Sequence, residues 1–198
     1  EEAAKFAENV LAPINNSADG EGCHYDKESG RVITPAGFRE AYTQFVEAGW
    51  SGLTASEGWG GQALPESIAC VFKEMIDGAN LSWGNYPLLS HGAVEALKHH
   101  GDAWQQEIFL KAIVEGRWTG TMCLTEPHCG SDLALLKTRA VPNDDGTYAI
   151  SGTKIFITGG EHDLTDNIVH LVLARLPDAP PGVKGISLFI VPKINVDA

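Results

Sequence analysis

Basic residues are scarce in this sequence, and their scarcity excludes one broad class of function. Lys and Arg number 14 against 26 Asp and Glu, which gives a formal net charge of −12. Binding to nucleic acid needs clustered cations that neutralise phosphates, so a nucleic-acid partner is not expected. The acidity is uneven, with 17 acids and 8 bases in residues 1–118 against 9 and 6 in residues 119–198. An anionic cofactor would therefore meet less repulsion in the second part.

Long apolar runs and cysteines are also rare. No uninterrupted apolar stretch reaches the roughly 18 residues that a membrane-spanning helix requires, so no membrane span is predicted. The four cysteines are irregularly spaced, which is typical of reduced thiols in a cytoplasmic protein rather than of a disulfide framework. A metal site made from Cys123 and Cys129 with His128 and His162 is disfavoured, because the cysteines lack C-x-x-C spacing. No metal is predicted.

Several common site motifs are missing as well. No Gly-Lys-Ser/Thr sequence follows a glycine at the P-loop spacing. The glycines at 58, 60 and 61 do not lie between a strand and a helix, as a dinucleotide fingerprint would require. Leu53 occupies the position where a nucleophile elbow around Ser51 would need glycine. The sequence therefore gives no support to these three kinds of site.

Residues 1–118 have the periodicity of helices. The apolar positions of Glu1–Leu11 predict a helix that ends at Pro13. A helix that begins near Pro65 is apolar on most sides, so we expect it to be central. Further helices are predicted after Pro35 and over Tyr86–Leu97 and Trp104–Val114.

Residues 119–198 have a different pattern, with short segments rich in β-branched residues and bounded by turn signals such as Asp145-Gly146 and Ser151-Gly152. The predicted strands are Thr119–Thr125, Tyr148–Ile150, Lys154–Thr158, Ile168–Leu173 and Ile186–Val191. Helices followed by strands without alternation indicate an α+β protein. We expect an N-terminal helical bundle domain at 1–118 and a β-barrel or sandwich-like domain at 119–198.

The first candidate site is the stretch Met122–Asp132. Its strand should end at Thr125, because Pro127 prevents a simple continuation and Gly130 permits a tight turn. Such a turn can direct backbone N–H groups and the Ser131 hydroxyl at one point, as a pyrophosphate site without lysine requires. An ordinary β-turn explains the same residues equally well.

The second candidate site is Lys154–Gly160. In a strand, Phe156 and Thr158 would share one face with Lys154, while Ile155 and Ile157 would face the core. An aromatic ring and a hydroxyl on one face suit a flat heteroaromatic ligand. The alternative is a strand with a single exposed phenylalanine.

The two stretches together resemble the acyl-CoA dehydrogenase family. The resemblance covers nearly the whole chain, and its longer bacterial branch, which includes the methylthiopropionyl-CoA dehydrogenases, looks most similar. The residues that carry it, in order, are Gly49–Leu53, Gly60-Gly61, Leu64-Pro65, Thr125–Pro127, Gly130–Asp132, Thr138, Gly152, Lys154, Ile157-Thr158 and Gly160, with His128-Cys129, Phe156 and Glu161–Asp163 indicating the branch.

The resemblance implies that FAD binds the β-domain. Met122 would line the flavin, Leu124 would contribute backbone groups to its ring, and Thr125 would form a hydrogen bond at its pyrimidine end. Gly130 and Ser131 would contact phosphate, and Ser131 would also contact the thioester substrate.

The second stretch would complete the flavin site. Phe156 takes the place of a tryptophan that many relatives have beside the isoalloxazine, and Ile157 adjoins it. Thr158 matches the hydroxyl near flavin N5, the atom that accepts hydride.

The implied reaction is α,β-dehydrogenation of an acyl-CoA to trans-2-enoyl-CoA. The base in this family is a glutamate on a C-terminal helical domain that the sequence does not contain, so no catalytic residue is predicted here and the chain alone should be inactive. The implied partners are an electron-transfer flavoprotein and further copies of the protein, as a homodimer or homotetramer. An acyl-CoA oxidase, another flavoenzyme of this fold and a non-catalytic scaffold derived from it remain open.

Overall fold

The computed structural model describes residues 1–196, and its first part is helical. The chain begins with α1 (Glu2–Phe6), a π-helical turn (Ala7–Leu11) and α2 (Ala12–Glu21), which form one continuous helical run. The prediction that this helix ends at Pro13 is therefore wrong. Pro13 is the second residue of α2, which follows the π-helical turn. A proline is tolerated there because it has no N–H to donate and the hydrogen-bond pattern of the run changes at this point.

A small hairpin interrupts the helices. Strands β1 (His24–Asp26) and β2 (Arg31–Ile33) pair antiparallel around a turn that sequence patterning did not reveal, because each strand has only three residues. Helix α3 (Phe38–Glu47) follows, as predicted, and leads to a loop with two short 3₁₀ turns, Trp50–Gly52 and Glu57–Trp59.

The longest element is α4 (Glu66–His100), which combines the two helices predicted after Pro65 and over 86–97. It consists of two arms joined at Asn80, whose φ of −158° is not helical. The Asn80 side-chain oxygen accepts a hydrogen bond from the Trp83 backbone N–H at 3.0 Å, and so caps the second arm. The first arm is less central than expected, since Ile68 and Val71 are about half exposed.

Strands occupy the second part of the chain. After α5 (Ala103–Gln105), a π-helical turn (Gln106–Leu110) and α6 (Lys111–Val114), the chain enters a five-stranded mixed sheet. Its strands are β3 (Trp118–Cys123), β4 (Arg139–Pro142), β5 (Tyr148–Ser151), β6 (Asn167–Arg175) and β7 (Ile186–Pro192). The predicted α+β class, with helices preceding the sheet, is confirmed, and within the described residues no helix longer than a 3₁₀ turn follows β3.

Strand β6 organises this sheet. It pairs in parallel with β3 and antiparallel with β7, and a single parallel pair, Arg139 with Arg175, joins it to β4. Strand β5 completes the sheet as the antiparallel partner of β4. Among the described residues, no helix combines the length and the apolar character needed to cross a lipid bilayer.

Two buried clusters hold the molecule together. The first lies among the helices and is mainly aromatic, with Phe6, Phe45 and Trp83 packed at ring-centroid distances of 5.5–5.8 Å. The second joins the second arm of α4 to β3 and β6, where Val94 and Leu97 pack with Val169 and Leu171. The sheet is thus attached to the helical part through an apolar contact, and the candidate site lies beside this junction.

Candidate functional site

The first motif folds as the tight turn that its sequence predicts. The Glu126 N–H donates to the Cys129 carbonyl at 2.8 Å, and the Cys129 N–H donates back to the Glu126 carbonyl at 3.1 Å. The chain then bends toward its own strand, because a Cβ placed on Gly130 would lie 3.3 Å from the Thr125 side chain. This turn brings Gly130 beside Thr125, and Ser131 is the next residue in the chain.

The second motif lies directly against the first. The Ile155 N–H donates to the Thr125 carbonyl at 3.0 Å, and the Lys154 ammonium donates to the Leu124 carbonyl at 3.1 Å. Residues 154–158 therefore run beside the end of β3. The two motifs, which are about thirty residues apart in sequence, adjoin one surface of the molecule.

The prediction of a strand over Lys154–Thr158 is wrong. Residues 152–157 form no strand, and Phe156 has a φ of +56°, in the left-handed region. A non-glycine residue held there costs on the order of 1–3 kcal/mol and is found preferentially at functional sites. The exposure pattern matches the expected one in part, since Ile155 and Ile157 are half-buried while Phe156 and Thr158 are exposed. Lys154, which was expected to share the face of Phe156 and Thr158, is instead only 10% exposed and is bonded to Leu124 and Glu126.

The surface formed by the two motifs suits a flat aromatic ligand. Phe156 is 88% exposed, which is unusual for a phenylalanine, and Met122 is 37% exposed. Hydroxyl groups of Thr125, Ser131 and Thr158 belong to the same stretches, and Ser131 and Thr158 are exposed. An uncovered ring together with hydroxyl groups is the combination expected where a ring system with polar edges binds.

A buried ion pair under this surface fastens the motifs to each other. The Glu126 side chain is 2% exposed and accepts a hydrogen bond from the Lys154 ammonium at 2.9 Å. It also accepts from the N–H groups of Lys137 and Thr138, at 2.8 and 3.0 Å, and from the Thr138 hydroxyl. Burial acts to raise the pKa of Glu126, but these donors outweigh it and lower the pKa to about 2.

The sequence pattern did not predict this pair. Glu126 was treated as part of the turn, and Lys154 as part of a strand face. The available signal was a pair of opposite charges, with Glu126 just after the predicted end of the first strand and Lys154 beside the apolar positions of the second motif. Glu126 is an ionised structural group, and its lowered pKa makes it a poor proton acceptor.

Glu126, His128 and Cys129 also bring potential metal-ligand atoms within 4.8 Å of one another. This arrangement does not favour a metal ion, because the Lys154 ammonium already occupies the Glu126 carboxylate and would repel a cation. His128 Nε2 in turn lies 3.0 Å from the Leu135 carbonyl. The other two residues considered from sequence, Cys123 and His162, lie next to threonines of β3 instead.

The fold and the site define an α+β protein in which a helical part precedes a mixed sheet, with the two candidate motifs side by side at the end of β3. Comparison with known proteins identifies the family within this class. A profile of the acyl-CoA dehydrogenase N-terminal domain matches residues 1–117, and a profile of the acyl-CoA dehydrogenase middle domain matches residues 121–197. The chain belongs to the acyl-CoA dehydrogenase family, which confirms the resemblance noted in its sequence.

Individual relatives agree with this assignment. A 3-methylmercaptopropionyl-CoA dehydrogenase of Ruegeria pomeroyi is 51% identical over 98% of this chain, and a butyryl-CoA dehydrogenase of Syntrophomonas wolfei is 40% identical over 98%. The chain spans about a third of the length of these relatives, 33% and 32% respectively. Among solved structures, butyryl-CoA dehydrogenase from Megasphaera elsdenii matches with a TM-score of 0.79 and 29% identity, over 96% of this chain and 46% of that one.

Proposed function

We propose that this chain supplies the flavin- and thioester-binding surface of an FAD-dependent acyl-CoA dehydrogenase, which converts an acyl-CoA to the trans-2-enoyl-CoA. The observation that carries the proposal is the contact between the two motifs, with Ile155 N–H bonded to the Thr125 carbonyl and Phe156 exposed beside it. The catalytic base would belong to a helical domain outside these residues.

The residues of this surface would have distinct tasks. The Leu124 backbone and the Thr125 hydroxyl would orient the isoalloxazine ring, and Phe156 would cover part of it. Gly130 and Ser131 would contact the pyrophosphate through a backbone N–H and a hydroxyl, and Ser131 would also contact the substrate. Met122 and Ile157 would provide apolar contacts to the ring.

The chemistry would be divided between the protein and the cofactor. Bound FAD would supply the acceptor for the hydride that leaves the β-carbon of the thioester. The Thr158 hydroxyl would lie close to the accepting edge of the ring and donate a hydrogen bond there. Such preorganised donors stabilise negative charge as it develops on a cofactor.

The first test concerns the flavin. We expect the full-length protein to bind FAD, and Phe156→Ala to weaken this binding roughly 2- to 12-fold, because one aromatic packing contact is worth about 0.5–1.5 kcal/mol. Tyr25→Ala is the matched control, since Tyr25 is an aromatic residue that is 57% exposed on β1 and belongs to neither motif. FAD affinity is measured by titration of flavin fluorescence. Full-length protein without affinity for FAD would contradict the proposal.

The second test concerns the reaction. The full-length protein is assayed with a panel of acyl-CoA thioesters that includes butyryl-CoA and 3-methylmercaptopropionyl-CoA, with an artificial electron acceptor, an electron-transfer flavoprotein or oxygen. Enoyl-CoA formation with the artificial acceptor or with the electron-transfer flavoprotein supports a dehydrogenase. Faster turnover with oxygen would indicate an oxidase, and no turnover with any thioester would favour a scaffold.

A further inference from the structure

The proposed flavin-binding stretch continues into three side chains that each contact a different part of the molecule. Three residues after Thr158, Glu161 forms an ion pair with Lys193, just past the end of β7. Asp163 accepts hydrogen bonds from the backbone N–H and the hydroxyl of Thr34, at 3.0 and 2.7 Å. The segment 161–163 is therefore an anchor between the helical part and the sheet.

His162, the middle residue of this anchor, is 2% exposed and has both ring nitrogens engaged. Its Nδ1 accepts a hydrogen bond from the Leu164 N–H at 3.2 Å. The proton of the neutral ring is consequently assigned to Nε2, which donates to the Thr119 hydroxyl of β3 at 2.9 Å. This arrangement fixes the orientation of the imidazole ring.

The histidine ring also contacts α4 and, through it, the candidate site. His162 packs edge to face on Tyr86, with ring centroids 5.2 Å apart and an interplanar angle of 83°. Tyr86 in turn lies against the backbone of Gly159, where an added Cβ would be 3.2 Å from its ring. Gly159 directly follows Thr158, so the stacked pair of rings supports the backbone next to Thr158.

We propose that His162 is a positioning residue, held between Thr119 and Tyr86, that fixes the segment 156–160 and thereby places the Thr158 hydroxyl for the flavin. This inference rests on the proposed function. A polar side chain is buried at this point because the His162 ring joins β3, α4 and the proposed flavin-binding segment. Displacement of a reacting group by about 1 Å can lower a rate by up to about 100-fold.

Strand β3 contains a natural control for this role. The Thr121 hydroxyl, two residues after Thr119, bonds His170 Nδ1 at 2.6 Å in the same way. His170, however, belongs to β6 and not to the segment that follows Thr158. Removing either hydroxyl breaks one histidine–threonine hydrogen bond, but only the loss of the Thr119 hydroxyl should affect the flavin.

The test compares Thr119→Val with Thr121→Val in the full-length protein. Valine keeps the shape of threonine, so both variants are expected to fold. We expect Thr119→Val to shift the flavin absorbance spectrum and to lower the rate of flavin reduction by acyl-CoA about 10-fold, with KM changed less than about twofold. Thr121→Val should leave the flavin spectrum unchanged and the rate of flavin reduction within about twofold of that of the unmodified protein.

Two His162 variants give an independent result. His162→Phe keeps a ring against Tyr86 but has no hydrogen bonds, and should match Thr119→Val. His162→Gln can still donate to Thr119, and should recover part of the rate. The inference is overturned if Thr119→Val retains the unmodified spectrum and rate, or if Thr121→Val changes both equally. These comparisons presuppose that the unmodified protein binds FAD; a failure at that step contradicts the proposed function instead.

Discussion

Among the residues of the candidate site, Glu126 should contribute most to the free energy of unfolding. Glu126→Gln would leave the Lys154 ammonium, which is 10% exposed, without its counter-ion. We expect a loss of about 3 kcal/mol in the free energy of unfolding, since breaking a buried pair costs roughly 3–5 kcal/mol. The control is Glu107→Gln, which removes the exposed pair with Lys111 and should cost less than about 1 kcal/mol. Equal losses in urea titrations would contradict this account of Glu126.

His162 should give stability a characteristic dependence on pH. Burial, with smaller contributions from Lys193 and His170, lowers the pKa of His162 from 6.5 to about 4, against the opposing effect of Glu161 and Asp163. Between pH 6.5 and 4 the unfolded chain therefore binds a proton that the folded chain does not, and stability falls as the pH is lowered through this range. The full contribution is present above pH 6.5, and about 3 kcal/mol of it is lost by pH 4.

His162→Gln isolates this effect from the titration of carboxylates in the same range. The difference in unfolding free energy between the unmodified protein and this variant should shrink as the pH falls from 7 to 4. Guanidinium titrations at several pH values measure it. Parallel curves for the two proteins would mean that His162 is not buried in its neutral form.

At the scale of elements, local sequence patterns predicted what depends on local structure. The helices after Pro35 and Pro65 and most strands of the sheet follow from periodicity and turn residues, as does the turn at Glu126. The segment 152–160 did not, because tertiary contacts determine its path. Lys154 is held by Leu124 and Glu126, and Phe156 adopts a left-handed conformation that apolar alternation cannot reveal. The sequence pattern singled out both candidate motifs but not the ion pair that joins them.

The contact between β3 and α4 can be tested with two glycines. A Cβ on Gly120 would lie 2.4 Å from the Ala93 Cβ, so the strand packs directly on the helix at this point. Gly120→Ala should destabilise the protein by about 1–3 kcal/mol through overpacking. The same substitution at Gly78, exposed on α4 with no atom within 4 Å of the added Cβ, should stabilise it by up to about 1 kcal/mol. Thermal unfolding measures both, and a stabilised Gly120→Ala would show that the strand and the helix separate easily.

At the scale of the whole molecule, the site depends on several parts of the chain. The apolar cluster between α4 and the sheet fixes the end of β3, and the anchor at 161–163 ties the segment 156–160 to Thr34 in the helical part. Neither family domain alone would contain all of these contacts. The two glutamates that adjoin the motifs offer no free carboxylate for proton abstraction. Glu126 is saturated with donors, and Glu161 is paired with Lys193.

We therefore expect residues 1–198, produced alone and supplied with FAD, to show no acyl-CoA dehydrogenation. Removal of an α-proton needs a base within hydrogen-bond reach whose pKa allows it to accept the proton, and a carboxylate with a pKa of about 2 is unsuited to that task. The assay follows reduction of an artificial acceptor with each acyl-CoA, and circular dichroism establishes that the chain is folded. The full-length protein is the positive control. Steady turnover by residues 1–198 would place the base within this chain and would overturn the division of labour proposed here.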